Sequence, residues 1–318
     1  MAKNNDFLTL AYYYYTALPN AGEFAEKHLA YCKSIGLRGR IIVADEGING
    51  TVSAPQAIAE KYMDYLRSLP YFPGISFKVH QTEQHVFKTV HVRYKAEIVN
   101  SGLTAADDIK PYKETGKHLE PKDFREMMDR DDVVVLDVRS NYEHTLGRFR
   151  KAVTLDMENF REFPDKLQEL EQYKDKTVVT YCTGGIKCEK ASALLLKKGF
   201  RDVYQLKGGI LNYGKEAGGE NFDGKCYVFD ERISVDVNQV NPTLVSTCAH
   251  CGEKTSRMVN CANPLCNDQF VMCEKCGWEW EGACSDACRD HEKKRPYTGS
   301  GYYNKASQDS YTAKALKS

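Results

Sequence analysis

The first hundred residues change hydrophobic period several times. An alternating apolar run covers Phe7 to Tyr15, and helical spacing begins at about Ala21, where Phe24, His28, Leu29, Cys32 and Ile35 share one side. A second strand pattern, Gly39 to Ala44, leads through Glu46, Gly47, Ile48, Asn49 and Gly50 into Thr51, Val52 and Ser53. Asn49 and Gly50 both tolerate positive φ, so this dipeptide predicts the hairpin turn. From Pro55 the pattern is helical again, with Ile58, Tyr62, Tyr65, Leu66 and Leu69 on one stripe, and strands follow near Ile75 to His80 and Thr89 to Ile98. The order βαββαβ predicts a ferredoxin-like, acylphosphatase-like domain over residues 1–100.

The middle of the chain, residues 118–217, alternates strand and helix patterns, which predicts a parallel α/β sheet covered by helices. Pro121 starts a helix carrying Phe124, Met127 and Met128, and Pro164 starts one carrying Leu167 and Leu170, because proline fits the first helical position. Strands fall at Val133 to Val138, Thr177 to Tyr181 and Val203 to Leu206. A helix from about Cys188 to Lys198 stops at Gly199 and turns Ala191, Leu194 and Leu195 to the sheet.

Between the strand ending at Tyr181 and that helix stand Cys182, Thr183, Gly184, Gly185, Ile186, Lys187 and Cys188. Open α/β sheets bind ligands at this end of their strands. Two glycines let the loop bend until several backbone N–H groups face one centre, and the helix N-terminus adds partial positive charge. A thiol held there has a depressed pKa and acts as a nucleophile or sulfur carrier; the competing reading of a lone cysteine is a buried core thiol. Cys188 either resolves an oxidised or persulfidated Cys182 as a disulfide or packs in the first helical turn.

The order Cys182, four loop residues, then basic Lys187 resembles the active-site loop of the rhodanese (sulfurtransferase) family. Cysteine phosphatases, which are related, carry one more loop residue before an obligatory arginine, and here that place is Cys188, so the anion-clamping fork is missing. The run Val133 to Asp137, then Arg139, Glu143 and Gly147, resembles the family's upstream segment, although Arg148 and Phe149 stand where many relatives have His and Ile. Asp137 and Arg139 are expected to pair beneath the loop in a supporting role. Lys207, Gly208 and Gly209 fit the family's last turn.

Residues 240–295 are dense in cysteine: Cys248 with Cys251, Cys261 with Cys266, Cys273 with Cys276, and Cys284 with Cys288. Eight thiols in four pairs suit two tetrahedral all-cysteine zinc sites, paired sequentially or interleaved, with His250 and His291 as substitute ligands. Four disulfides are the competing reading, disfavoured because no secretory signal or transmembrane run precedes the fold. Full thiolate coordination leaves no open position for water, so the expected role is structural. Residues 299–318 read as a flexible polar tail.

Charge changes the picture little. The 44 basic and 44 acidic residues cancel, so no global field draws polyanions, and the chain reads as a multidomain cytoplasmic protein with no membrane partner. Any RNA contact must come from local features: stacking on Tyr12 to Tyr15, phosphate contacts from Arg38, Arg40, Lys88, Arg93 and Lys95, or the basic groups Arg148, Arg150, Lys151 and Lys293, Lys294, Arg295. Ordinary core packing and solvated charge explain each of these residues equally well.

The three-part order, with Glu46 to Thr51 (EGINGT) and Cys182 to Ser192 (CTGGIKCEKAS), resembles the rhodanese-domain tRNA uridine hydroxylases over most of the chain. That resemblance implies oxygen-dependent formation of 5-hydroxyuridine at wobble position 34, with molecular oxygen as co-substrate, the tRNA anticodon region as partner, and Cys182 as a persulfide-forming cysteine. No flavin or nucleotide motif and no metal triad for handling dioxygen is visible. A persulfide sulfurtransferase acting on a thiol acceptor needs only the loop, and a non-catalytic RNA or protein binding module would use the flanking domains alone.

Overall fold

The computed structural model describes residues 6–230 and 232–300. Its N-terminal unit comprises strand β1 (Phe7–Tyr15), helix α1 (Ala21–Ser34), strands β2 (Arg38–Ala44) and β3 (Gly47–Pro55), helix α2 (Gln56–Ser68), and strands β4 (Lys78–Thr82) and β5 (Val90–Tyr94). The sheet order is β4-β1-β3-β2-β5, so the strand expected near Thr89 to Ile98 is present as β5 and adds to the βαββαβ arrangement at one edge, parallel to β2. Because side chains alternate across a strand, Leu8, Leu10 and Tyr12 of β1 join the helix-covered core with Ile41, Val52, Tyr62 and Leu66. Tyr13 and Tyr15 point the other way, toward Ile186 of the middle domain.

The hairpin turn is not at Asn49-Gly50. Ala44 pairs with Gly47, so Asp45 and Glu46 form the turn, and Asn49 and Gly50 lie within β3 opposite Tyr13 and Tyr12. Their chemistry serves packing instead. A Cβ on Gly50 would lie 2.4 Å from the Tyr12 hydroxyl, and Asn49 Nδ2 donates to the Ile98 carbonyl at 2.9 Å.

The middle domain follows as β6 (Lys117–Leu119), α3 (Pro121–Met127), β7 (Val133–Asp137), α4 (Asn141–Leu146), β8 (Gly147–Phe149), β9 (Val153–Thr154), α5 (Leu167–Leu170), β10 (Thr177–Tyr181), α6 (Ile186–Lys197), β11 (Asp202–Leu206) and α7 (Gly209–Ala217). Its sheet, β6-β11-β10-β7-β9, is parallel throughout, as the alternating pattern predicts. Pro121 opens α3 as expected. Pro164 does not open a helix; it lies inside a 3₁₀ turn, Phe160–Lys166, and α5 begins at Leu167. Phe160 and Phe163, three apart, stack at 5.7 Å in the core, a spacing that the three-residue 3₁₀ period eclipses and an α-helix would splay.

The chain then forms β12 (Phe222–Tyr227) and β13 (Ser234–Asp236), with β12 between β13 and β8. A hairpin of β14 (Met258–Asn260) and β15 (Gln269–Val271) and two short helices, α8 (Glu274–Glu279) and α9 (Asp286–Arg289), hold the cysteine-rich region. The expected flexible tail, from residue 301 onward, lies outside the described residues. Among the described residues no helix is long and apolar enough to cross a membrane.

Candidate active site

Cys182 follows β10 directly, and its sulfur accepts the Gly185 N–H at 3.1 Å. Gly185 makes this possible by adopting φ +99°, which side chains rarely tolerate, and α6 begins at the next residue, two residues earlier than its periodicity predicts. Burial alone would push the Cys182 thiol up. The Cys188 thiol, the Lys187 ammonium and the N–H groups of Lys187 and Gly185 outweigh it and bring Cys182 down to about 6. Burial and the adjoining Cys182 anion push Cys188 the other way, so Cys188 is a protonated thiol beside a thiolate.

The other loop residues are fixed from two sides. Lys187 Nζ donates to the fully buried Glu143 carboxylate at 2.5 Å, and the other Glu143 oxygen accepts from the Thr183 hydroxyl at 3.4 Å. The first turn of α7 approaches from the opposite side: Ile210 N–H donates to the Cys182 carbonyl at 3.0 Å and Leu211 N–H to the Thr183 carbonyl at 3.2 Å. Gly209 allows that approach, since a Cβ there would sit 2.5 Å from the Cys182 oxygen. Asp137 and Arg139 are fully buried, with the guanidinium donating to both carboxylate oxygens at 2.9 and 2.7 Å. Tyr181, at the end of β10, donates to the same carboxylate at 2.6 Å, so the pair braces the strand that carries the loop.

The N-terminal domain supplies a part of this site that the sequence does not reveal. Lys78 Nζ, from edge strand β4, donates to the Gly184 carbonyl at 2.6 Å and lies 5.2 Å from the centre of the Tyr13 ring. Burial brings its ammonium down to about 8, opposed by the negative charges of Cys182 and Glu189. The Tyr13 hydroxyl donates to Glu189 Oε1 at 3.0 Å and the Tyr15 hydroxyl to the Ile186 carbonyl at 3.2 Å. Cys182 is consequently only 2% exposed. Nothing in the Phe77-Lys78-Val79 pattern signals burial against another domain; only the distribution of cations around a reactive loop, unknown before folding, could have singled out Lys78.

Several expected RNA-contacting features are otherwise engaged. Tyr12 bonds Tyr62 inside the N-terminal core and Tyr14 donates to the Pro73 carbonyl, so the tyrosine strand packs rather than presenting stacking surfaces. Arg150 pairs with Asp223, Lys294 with Glu281, and Arg295 is buried with its guanidinium on the Cys261 and Ala262 carbonyls.

The eight C-terminal cysteines gather into two groups, Cys248, Cys251, Cys273 and Cys276, and Cys261, Cys266, Cys284 and Cys288. The pairing is therefore interleaved. Within each group the sulfurs lie within 4.8 Å of one another, and Cys251 to Cys273, Cys266 to Cys284, and Cys284 to Cys288 are each 3.7 Å apart. Tetrahedral zinc with sulfur at about 2.3 Å requires sulfurs about 3.8 Å apart, so each group can hold a metal ion such as zinc. The suggested substitutes are not in the groups: His250 stacks on Trp280 and bonds the Ala283 carbonyl, and His291 accepts the Lys293 N–H.

Three family models match in series: a UPF0176 acylphosphatase like domain over residues 7–98, a Rhodanese-like domain over 120–216 and a Rhodanase C-terminal region over 223–289. The chain is 56% identical over 300 residues to a tRNA uridine(34) hydroxylase of Cytophaga hutchinsonii, covering 94% of this chain and 95% of that one. It is 50% identical to a protein of the same name from Streptococcus pneumoniae (strain Hungary19A-6), covering 93% and 91%, and 49% identical to one from Shouchella clausii, covering 91% of each.

Proposed function

The chain belongs to the tRNA uridine(34) hydroxylase family, and from that premise we propose that it converts the wobble uridine of tRNA to 5-hydroxyuridine in the cytoplasm, with molecular oxygen as co-substrate and Cys182 as the reacting side chain. The observation that carries the role of Cys182 is its sulfur at 3.1 Å from the Gly185 N–H, in a loop that lowers its pKa to about 6. At neutral pH such a sulfur is an anion and a ready nucleophile. As thiolate or persulfide it adds to C6 of the uracil, which makes C5 electron-rich toward an oxygen electrophile; departure of the sulfur and of the C5 proton restores the ring as the 5-hydroxy product. Inserting one atom of dioxygen leaves the other to depart as water, which takes up two electrons and two protons from a reductant outside this chain.

In this reading Gly185, Lys187 and Cys188 hold the sulfur anion before addition and after departure, while Asp137 and Arg139 keep β10 in place. Two zinc ions, one per cysteine group, would fix the C-terminal region without entering the chemistry.

The test compares tRNA nucleosides from a deletion strain complemented with the natural gene or with Cys182→Ser. Loss of 5-hydroxyuridine on deletion, its return with the natural gene and its continued absence with the variant are expected. Normal 5-hydroxyuridine with Cys182→Ser would remove Cys182 from the chemistry. An unchanged nucleoside profile on deletion would instead select sulfur transfer to a thiol acceptor, which the same anion cradle suits.

A further inference from the structure

A cavity beside the Cys182 loop lies between the N-terminal and middle domains. It has a volume of about 490 Å³, within the range of small-molecule sites, and runs between edge strand β4 on one side and α7 with β13 on the other. Both walls are fastened to the reactive loop. From one wall Lys78 Nζ reaches the Gly184 carbonyl, and from the other the Leu211 N–H reaches the Thr183 carbonyl. The loop itself does not line the cavity; the Lys78 side chain and the first turn of α7 stand between them.

The lining mixes polar and apolar residues, and among its titratable side chains bases outnumber acids. Lys78, His80 and Lys215 face Asp236 as the sole acid, and Gln81, Asn212 and Gln239 add side-chain amides. The Lys215 ammonium and the Gln81 and Gln239 amides form no hydrogen bond or ion pair among the described residues, so their bonding capacity is directed to solvent or a ligand. The uncommitted Lys215 cation matches phosphate. A carboxamide, with donor and acceptor side by side, matches the uracil edge, where a ring N–H stands between two carbonyl oxygens.

We propose that this interdomain cleft receives the wobble nucleotide of tRNA, with Lys215 on its phosphate and the Gln81 and Gln239 amides on its base edge. The inference rests on the tRNA reading above and adds the place where the nucleotide enters. It also gives the N-terminal domain a part in substrate binding that does not depend on its tyrosine strand.

The experiment uses the full-length protein with its metal complement as purified and an anticodon stem-loop RNA carrying a photoreactive thiouridine at position 34. Crosslinked peptides are expected from residues 77–81 or 211–215. Lys215→Glu is expected to weaken binding of the unmodified stem-loop about tenfold and to reduce the salt slope of binding by about one, while Gln239→Ala narrows the preference for uridine over cytidine at position 34. Circular dichroism and melting temperature establish that both variants fold. Efficient crosslinking outside these segments, with natural binding by both variants, would overturn the cleft while leaving the tRNA reading intact. A natural protein that neither binds the stem-loop nor changes cellular 5-hydroxyuridine would overturn both.

Discussion

Lys78 Nζ hydrogen-bonds the Gly184 carbonyl across the domain boundary, so one ferredoxin-like edge strand places a cation on the loop that presents Cys182. The two groups titrate in opposite senses. Cys182 is a thiolate above about 6, and Lys78 is an ammonium below about 8.

A reaction that needs both forms should rise with pH through about 6 as Cys182 ionises and fall through about 8 as Lys78 loses its proton. Single-turnover rates of uridine hydroxylation against pH should trace that bell. Lys78→Met should flatten the alkaline limb and move the thiolate titration upward, read as the ultraviolet absorbance difference between each protein and its Cys182→Ser counterpart; Lys78→Arg should restore the thiolate midpoint. An alkaline limb kept by Lys78→Met would assign it to another group.

Asp137→Asn should destabilise the protein by roughly 3–5 kcal/mol, because it leaves the fully buried Arg139 guanidinium without its counter-charge. Urea unfolding followed by fluorescence measures this. The double variant Asp137→Asn, Arg139→Met should lose much less than the sum of the two single changes, since neither charge is then stranded. Additive losses would mean that the two side chains act independently.

The parts of the site that are local in sequence were readable from it. Strand, cysteine, glycine pair and helix succeed one another between Thr177 and Lys197, and the physics of each piece is short-range: a buried apolar run, a left-handed Gly185 and a helix start. Lys78 was not readable, because it meets Gly184 across 106 positions and its significance arises only when the two domains pack. The hairpin misled for a related reason. Asn49 and Gly50 have turn chemistry, but the tertiary demand for space beside Tyr12 uses the glycine inside a strand and leaves the turn to Asp45 and Glu46. Cysteine spacing announced metal sites, while the choice of interleaved pairing required the β14-β15 hairpin to bring the first and third pairs together.

That pairing makes metal content diagnostic. Mass spectrometric analysis of the protein purified without added zinc should find two zinc ions per chain, one for each cysteine group. Cys248→Ser with Cys276→Ser should remove one ion, since both belong to one group, and Cys248→Ser with Cys261→Ser should remove both. Sequential pairing would reverse these two results.

Cys182 is buried where the N-terminal domain packs on the start of α6. Helix α6 anchors the N-terminal domain through neighbouring side chains. The Glu189 carboxylate accepts from Tyr13 at 3.0 Å and, on its own domain, from His118 at 2.9 Å and Gln205 at 3.0 Å. Lys190, buried, reaches Glu46 at 2.9 Å and Glu97 at 2.6 Å. Replacing Lys190 with Met leaves two carboxylates facing each other without a cation, and removing one partner of a buried ionic cluster is destabilising by roughly 3 kcal/mol or more. Because that cluster ties the domains together, the cost should appear as separation of the N-terminal sheet from α6, while the middle domain keeps its fold. The amides, Lys187 and Cys188 that lower the Cys182 pKa belong to the middle domain and should survive the separation, while the Lys78 cation leaves with the N-terminal sheet and the burial that opposes ionisation is relieved. Lys190→Met should therefore raise the plateau rate of Cys182 alkylation by iodoacetamide several-fold, with its pH midpoint still well below that of a free thiol, and should increase hydrogen exchange in β1 and β4. A rise in rate accompanied by a midpoint shifted to that of a free thiol would show instead that the loop itself had melted, and an unchanged rate would show that the domain contact does not depend on Lys190.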